Sequence, residues 1–240
     1  MKRRLTRIGT AALMAVGVTL PLTAQPAQAD VLTVIAVVKQ IYSVYQQFTA
    51  GGSGPSLEQA IQQITGAIQS SRDAIVSQID LVATAGVQAC ATSAVINFAD
   101  IDALSPDNLQ AFAVDTTSCV TQAKSLVDVV TDKAATDNLG FAMNVVGPLA
   151  LMARTKAGLT TPSLKGVLVA GNNTVINKLI PDCQLIDLNG GEPGAPHIYR
   201  YDCFAYNGDE GLAKLQPAAQ DKATRNTSRA VAQAALPQLA

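Results

Sequence analysis

From residue 30 onward the apolar positions fall at helical spacing. Val31, Val34, Ile35, Val38, Ile41, Tyr42, Tyr45 and Phe48 recur at intervals of three and four, which predicts a helix over residues 30–49. Residues 50–55, Ala-Gly-Gly-Ser-Gly-Pro, read as a turn or linker. Ser56 with Gln59 three positions later is a capping-box signature. Leu57, Ile61, Ile64, Ile68, Ile75, Ile79 and Val82 then form a stripe close to a heptad seam. No proline interrupts the chain before Pro106, so the pattern permits one helix over residues 56–104, roughly 72 Å long if unbroken. Gly66 and Gly86 are the positions where it can bend. Ser105-Pro106 is a cap followed by proline at the first helical position. It opens a helix carried by Leu109, Phe112, Val120, Ala123, Leu126, Val127 and Val130 to about residue 135. A further helix is expected over residues 139–156, kinked or broken at Gly147-Pro148. Another starts at Thr161-Pro162 and stops before Pro181.

The pattern changes after Pro181. Residues 183–188 read as a strand, and residues 197–206, which alternate and are rich in Tyr, as a second, around the turn-rich segment 189–196. Asn207-Gly208 turns the chain, and Pro217 opens a last helix carried by Ala223, Val231, Ala234 and Leu236. The sum is an all-α fold. It is an antiparallel bundle of about five or six helices over residues 30–182, with a small β-ribbon at 183–206 and a C-terminal helix in 207–240 packing back on the bundle.

The first 29 residues belong to a different class. Lys2, Arg3, Arg4 and Arg7 precede an apolar run at residues 11–22, and Ala27-Gln28-Ala29 supplies a small-x-small cleavage pattern. This is the signature of a secretory signal peptide cut after Ala29. The apolar run is too short to span a bilayer. Leu5-Thr6-Arg7 after the arginine pair does not fit a twin-arginine signal, which favours the general secretion route. The four leader charges are all basic. Without them 13 Lys and Arg face 18 Asp and Glu, a formal charge of −5. That balance argues against nucleic acid as a partner. It also argues against electrostatic attachment to anionic lipid. Aromatic residues make up only 4% and tryptophan is absent, which disfavours a carbohydrate cleft built on stacked rings. The Ala-rich composition and the leader point to a bacterial exported protein. The sequons at Asn172 and Asn226 are therefore read as chance. Ala-rich helices pair between chains as readily as within one, so the sequence sets no oligomeric state.

The four cysteines are Cys90, Cys119, Cys183 and Cys203. In an exported protein they read as two disulfides, and pairing neighbours in sequence places each bridge across a chain reversal. Cys90 lies 14 residues before a turn at Leu104-Ser105 and Cys119 lies 14 after it. Both would then sit about 21 Å from the bend, face to face. Each bridge contributes roughly 3 kcal/mol in the loop-entropy account. A metal site is not expected, because CxxC spacing is missing and His197 is the only histidine.

Catalytic motifs are sparse. The run at residues 51–55 is not a G-x-S-x-G elbow, and no phosphate-binding glycine fingerprint precedes a helix. Asp187 opens a calcium-like loop that fails at Gly191 and Glu192 and has Ile198 at its twelfth position. No catalytic residue and no cofactor are assigned. Alternation puts His197, Tyr199 and Tyr201 on one strand face, with Asp202 on the other, an arrangement suited to a contact surface. The leading expectation is a secreted, non-enzymatic module binding an extracellular protein or envelope component through that ribbon. A membrane-active protein using a hairpin over residues 56–135 is the alternative, because residues 81–99 and 139–153 lack charged side chains. A hydrolase using two of Asp182, Asp187, Glu192, Asp202 and Asp209 is the third.

Overall fold

The computed structural model describes residues 28–51, 54–190, 194 and 196–240. The leader up to position 27, residues 52 and 53, and Gly191, Glu192, Pro193 and Ala195 of the 189–196 loop lie outside the described residues. The chain is mostly helical with a small three-stranded antiparallel sheet near the C-terminus.

The first helix, α1 (Gln28–Thr49), buries Val34, Ile35, Val38, Ile41, Tyr42 and Tyr45, the stripe expected from spacing. Helix α2 (Leu57–Ser70) opens on the capping box. The Gln59 amide donates to Ser56 Oγ at 3.2 Å, and the Ser56 amide donates to Gln59 Oε1 at 2.9 Å.

The single long helix permitted by the sequence is instead three, α2, α3 (Arg72–Asp80) and α4 (Ala85–Phe98), followed by a 3-10 turn at Ile101–Ala103. Neither break is at Gly66 or Gly86. The first is at Ser71, whose φ of −129° and ψ of 17° leave the helical region. At the second, residues 81–84, Asn138 Nδ2 donates to the Leu81 carbonyl at 3.0 Å and Gln88 Nε2 donates to Asp80 Oδ1 at 3.0 Å. These side chains supply partners at a helix end, where polar groups otherwise lose theirs. The 56–135 hairpin is thereby segmented. No helix among the described residues is long and apolar enough to cross a membrane.

Helix α5 (Pro106–Val129) starts at the expected Ser105 cap but ends earlier than expected. Lys178 explains the stop: its Nζ donates to the carbonyls of Val127, Asp128 and Val130 at 2.7, 2.8 and 2.6 Å. A cation there satisfies terminal carbonyls and complements the helix dipole. Helix α6 (Lys133–Lys156) begins before the expected Leu139, with Asp132 accepting from the Ala135 amide at 2.7 Å, and continues through Pro148. All residues from 139 to 153 are buried, and α6 contacts α1, α3, α4, α5, α7 (Pro162–Lys178) and α9 (Ser228–Leu239). A helix apolar on every side belongs in the centre of a core. Its glycines allow that closeness. A Cβ at Gly147 would lie 2.6 Å from Leu168 Cδ2 and 2.9 Å from the Tyr42 hydroxyl. The Tyr42 hydroxyl donates to Asn144 Oδ1 at 3.2 Å, and Asn144 Nδ2 donates to Asn172 Oδ1 at 2.8 Å.

The ribbon is also larger than expected. Strands β1 (Asp182–Asp187) and β2 (Tyr199–Phe204) are joined by a third, β3 (Glu210–Ala213), in the order β1-β2-β3. Between β2 and β3 the Ala205 amide donates to the Asp209 carbonyl and Gly208 takes a φ of +85°, the left-handed position closing a three-residue hairpin loop. The single expected C-terminal helix is two. The first, α8 (Gln216–Ala223), lies on the sheet, and α9 returns to α1, α6 and α7.

Candidate contact surface

Sheet register follows from the disulfide. Cys183 stands directly opposite Cys203 with Cα atoms 4.0 Å apart. The Leu188 amide donates to the Ile198 carbonyl, so by alternation the cysteines occupy a non-hydrogen-bonded pair, where strands approach most closely. The other bridge joins Cys90 of α4 to Cys119 of α5, Cα atoms 5.7 Å apart. These are the pairs that sequence spacing favours. Two structural disulfides point to an oxidising compartment.

The two faces of the sheet differ. On one, Cys203, Tyr201, Cys183 and Ala213 pack with Ala205 against Ala219 and Ala223 of α8. Gly211 makes this fit, because a Cβ there would sit 2.1 Å from the Ala219 carbonyl oxygen and 2.5 Å from the Ala223 nitrogen. Tyr201 therefore serves the small core more than the surface. Beyond α8's reach the same face continues to Leu185, Tyr199 and His197. Tyr199 is 53% exposed and Leu185 57%. The His197 and Tyr199 rings stack with centroids 5.8 Å apart and planes 11° from parallel.

His197 Nδ1–H donates to Asp187 Oδ2. Asp187 Oδ1 accepts from the Ile198 and Asn189 amides at 3.0 and 3.1 Å. The His197 bond, then those amides, hold the Asp187 carboxyl below the usual carboxylate range. The carboxylate beside His197 is thus Asp187 and not Asp202, which strand alternation puts on the other face. The missed signal was the cysteine register: pairing 183 with 203 brings 187 opposite 199, one residue pair from the loop that carries His197. With Nδ1 committed to Asp187 the imidazole is oriented, as a base is by its carboxylate. No further side chain hydrogen-bonds it among the described residues.

The other acidic candidates separate by role. Asp209 accepts from Asn207 Nδ2 and Asn226 Nδ2 at 3.1 and 2.8 Å and shapes the β2–β3 turn. Asp182 and Asp202 lie on the face opposite Tyr199. No group of three or more His, Cys, Asp or Glu among the described residues is placed to hold a metal ion.

The tether between sheet and helices was not foreseen. Asp137 of α6 is 4% exposed. Its carboxylate accepts from the Tyr206 hydroxyl at 2.5 Å and from the Ser228 amide, the first of α9, at 2.5 Å. Burial pushes its pKa up despite these bonds, and burial with the adjacent Asp137 charge pushes the Tyr206 hydroxyl up as well. On the helical side, a half-open groove of about 310 Å³ beside Cys90–Cys119 is lined mainly by Ser93, Asn97, Asp115, Thr116 and Gln122. It offers polar side chains on neutral walls and one carboxylate.

Compared with known protein families, with curated proteins and with solved structures, the chain matches none.

Proposed function

We propose that this protein is an exported, non-enzymatic binding module, a helical bundle that presents its sheet to an extracellular protein or envelope component. The observation that carries this reading is the tip of the sheet. Tyr199 and His197 are stacked and exposed, with His197 held by Asp187, and exposed Leu185 lies on the same face. Aromatic side chains held rigid before contact lose little entropy on binding, and Tyr joins an apolar ring to a polar tip. Export is supported by the leader pattern and the two disulfides. His197 and Tyr199 are the contact residues, and Tyr201 supports them from the small core.

The test is capture from the producing cell's own culture medium, with immobilised protein of residues 30–240. A specific protein or envelope fragment is expected to be retained by the wild type, lost with Tyr199→Ala, and kept with Val114→Ala on the exposed side of α5. Equal retention by the Tyr199 variant rejects the surface. N-terminal sequencing of the exported chain is expected to start at Asp30, and an intact leader on exported protein rejects the export reading.

A further inference from the structure

The opposite face of the sheet carries a feature that the Tyr199 surface does not use. Asp202 is 8% exposed, its Oδ1 is buried, and that oxygen has no hydrogen-bond partner. A buried carboxylate oxygen without a donor is costly, and folded chains rarely leave one. Strand alternation and register put Asp202 between Arg200 and Phe204 along β2, opposite Gln184 on β1 and Leu212 on β3. Phe204 is 43% exposed and Leu212 38%. The carboxylate thus stands at the floor of an open, partly apolar sheet face rather than under the helices. The built-in cation does not take it: Arg200 Nη1 donates instead to the Tyr199 carbonyl at 2.9 Å.

Carboxylates flank Asp202 on this face: register places Asp182 of β1 and Glu210 of β3 diagonal to it, with Arg200 on the same side, while Lys222 and Arg225 donate to the Leu212 and Glu210 carbonyls of β3 at 3.0 and 3.2 Å. Residues 182–213 hold six carboxylates and one arginine. The remainder from residue 30 onward has twelve cations against twelve carboxylates, so the sheet segment accounts for the whole formal −5. Among the exposed large apolar side chains of the sheet, Phe204 and Leu212 share the face of Asp202, whereas Leu185 and Tyr199 belong to the other.

From the unpartnered Asp202, the apolar side chains around it and the local negative charge, we infer that this face docks a basic polypeptide segment, one lysine or arginine of which pairs with Asp202. The inserted cation supplies the donor that Oδ1 lacks. Phe204 and Leu212 cover the aliphatic stem and exclude water, which strengthens the pair. The surrounding carboxylates steer the approach. This surface is separate from the Tyr199 tip and stands whether or not that tip binds a partner.

The probe is a short fluorescein-labelled peptide alternating lysine with leucine, with its glutamate counterpart as control. Fluorescence anisotropy is recorded against the oxidised protein of residues 30–240 at physiological salt. The lysine peptide is expected to bind and the glutamate peptide not to. Truncating one side of a desolvated charge pair is costly, so Asp202→Asn should weaken binding by about tenfold or more. Asp115→Asn removes one charge from exposed α5 and should change affinity by less than about twofold, as expected of a screened, distant charge. Asp202→Asn should also melt at or above the wild-type temperature, because it removes an uncompensated carboxylate. The inference is overturned if the lysine peptide does not bind, if both variants weaken it equally, or if Asp202→Asn melts below wild type. Loss of medium capture by Tyr199→Ala with lysine-peptide binding intact would leave both surfaces standing, each on its own face.

Discussion

Helix α6 buries every residue from 139 to 153 among the helices around it, whereas the sheet centres on Cys203, Ala205, Ala219 and Ala223. The first region includes Phe141, Met143, Leu149, Leu151 and Met152, large side chains whose transfer from water drives folding. The second has small ones, and small side chains bring little burial. A covalent bridge at a close strand pair and the hydrogen bonds of Asp137 make up the difference. The contrast separates two ways of holding backbone in place. One is self-sufficient packing. The other fixes a thin layer at a few points and leaves its apolar side chains facing outward, where a partner can reach them.

The largest effect should come from the helical core. Phe141 is 1% exposed, and Phe141→Ala is expected to cost about 3–5 kcal/mol in urea unfolding. Helix and sheet signals should fall together, because the sheet is anchored to α6. Replacing Cys183 and Cys203 together by alanine should cost roughly 3 kcal/mol by the loop-entropy account, but locally. Amide exchange in β1 and β2 should accelerate while α6 amides keep their protection. If α6 loses protection equally, the two regions are one cooperative unit and the contrast fails. Asp137→Ala removes the tether and leaves the Tyr206 hydroxyl and the Ser228 amide without their acceptor, for about 2 kcal/mol. Asp137→Asn should cost less, since it removes a desolvated charge and keeps an oxygen for Ser228. Chemical denaturation followed by sheet and α9 amide signals separates the two variants. Equal losses would mean that the charge, not the acceptor geometry, holds the joint.

What the sequence showed and what it concealed divide along the same line. Starts made by neighbouring residues were legible: the Ser56–Gln59 box, Ser105-Pro106 and the proline after Thr161 all stand at helix starts. Ends made by distant residues were not. The break after α3 is satisfied by Asn138, 57 residues away, and the end of α5 by Lys178, which lies on α7. Strand β3 was missed because Glu210-Gly211-Leu212-Ala213 has no β-branched residue. Its pairing depends on β2, and its glycine is there for α8. At the candidate surface, the residue types were legible in His197 and Tyr199, while the place of Asp187 beside His197 followed only from register. Asp202 was read as one of several carboxylates. Its lack of a partner is a property of three strands together, and no local pattern records it.

The pairing of α1 with α9 has a consequence for the order of events during folding. The first and last described helices lie side by side, so the main core cannot close until residues 228–239 have emerged. A chain made from its N-terminus keeps this core open until those residues are available. The two bridges follow another schedule. Their cysteines are 29 and 20 residues apart in sequence, short loops that close early and at small entropic cost. Both can therefore lock before the core forms, and the final step is the docking of one twelve-residue helix into a groove already assembled around α6.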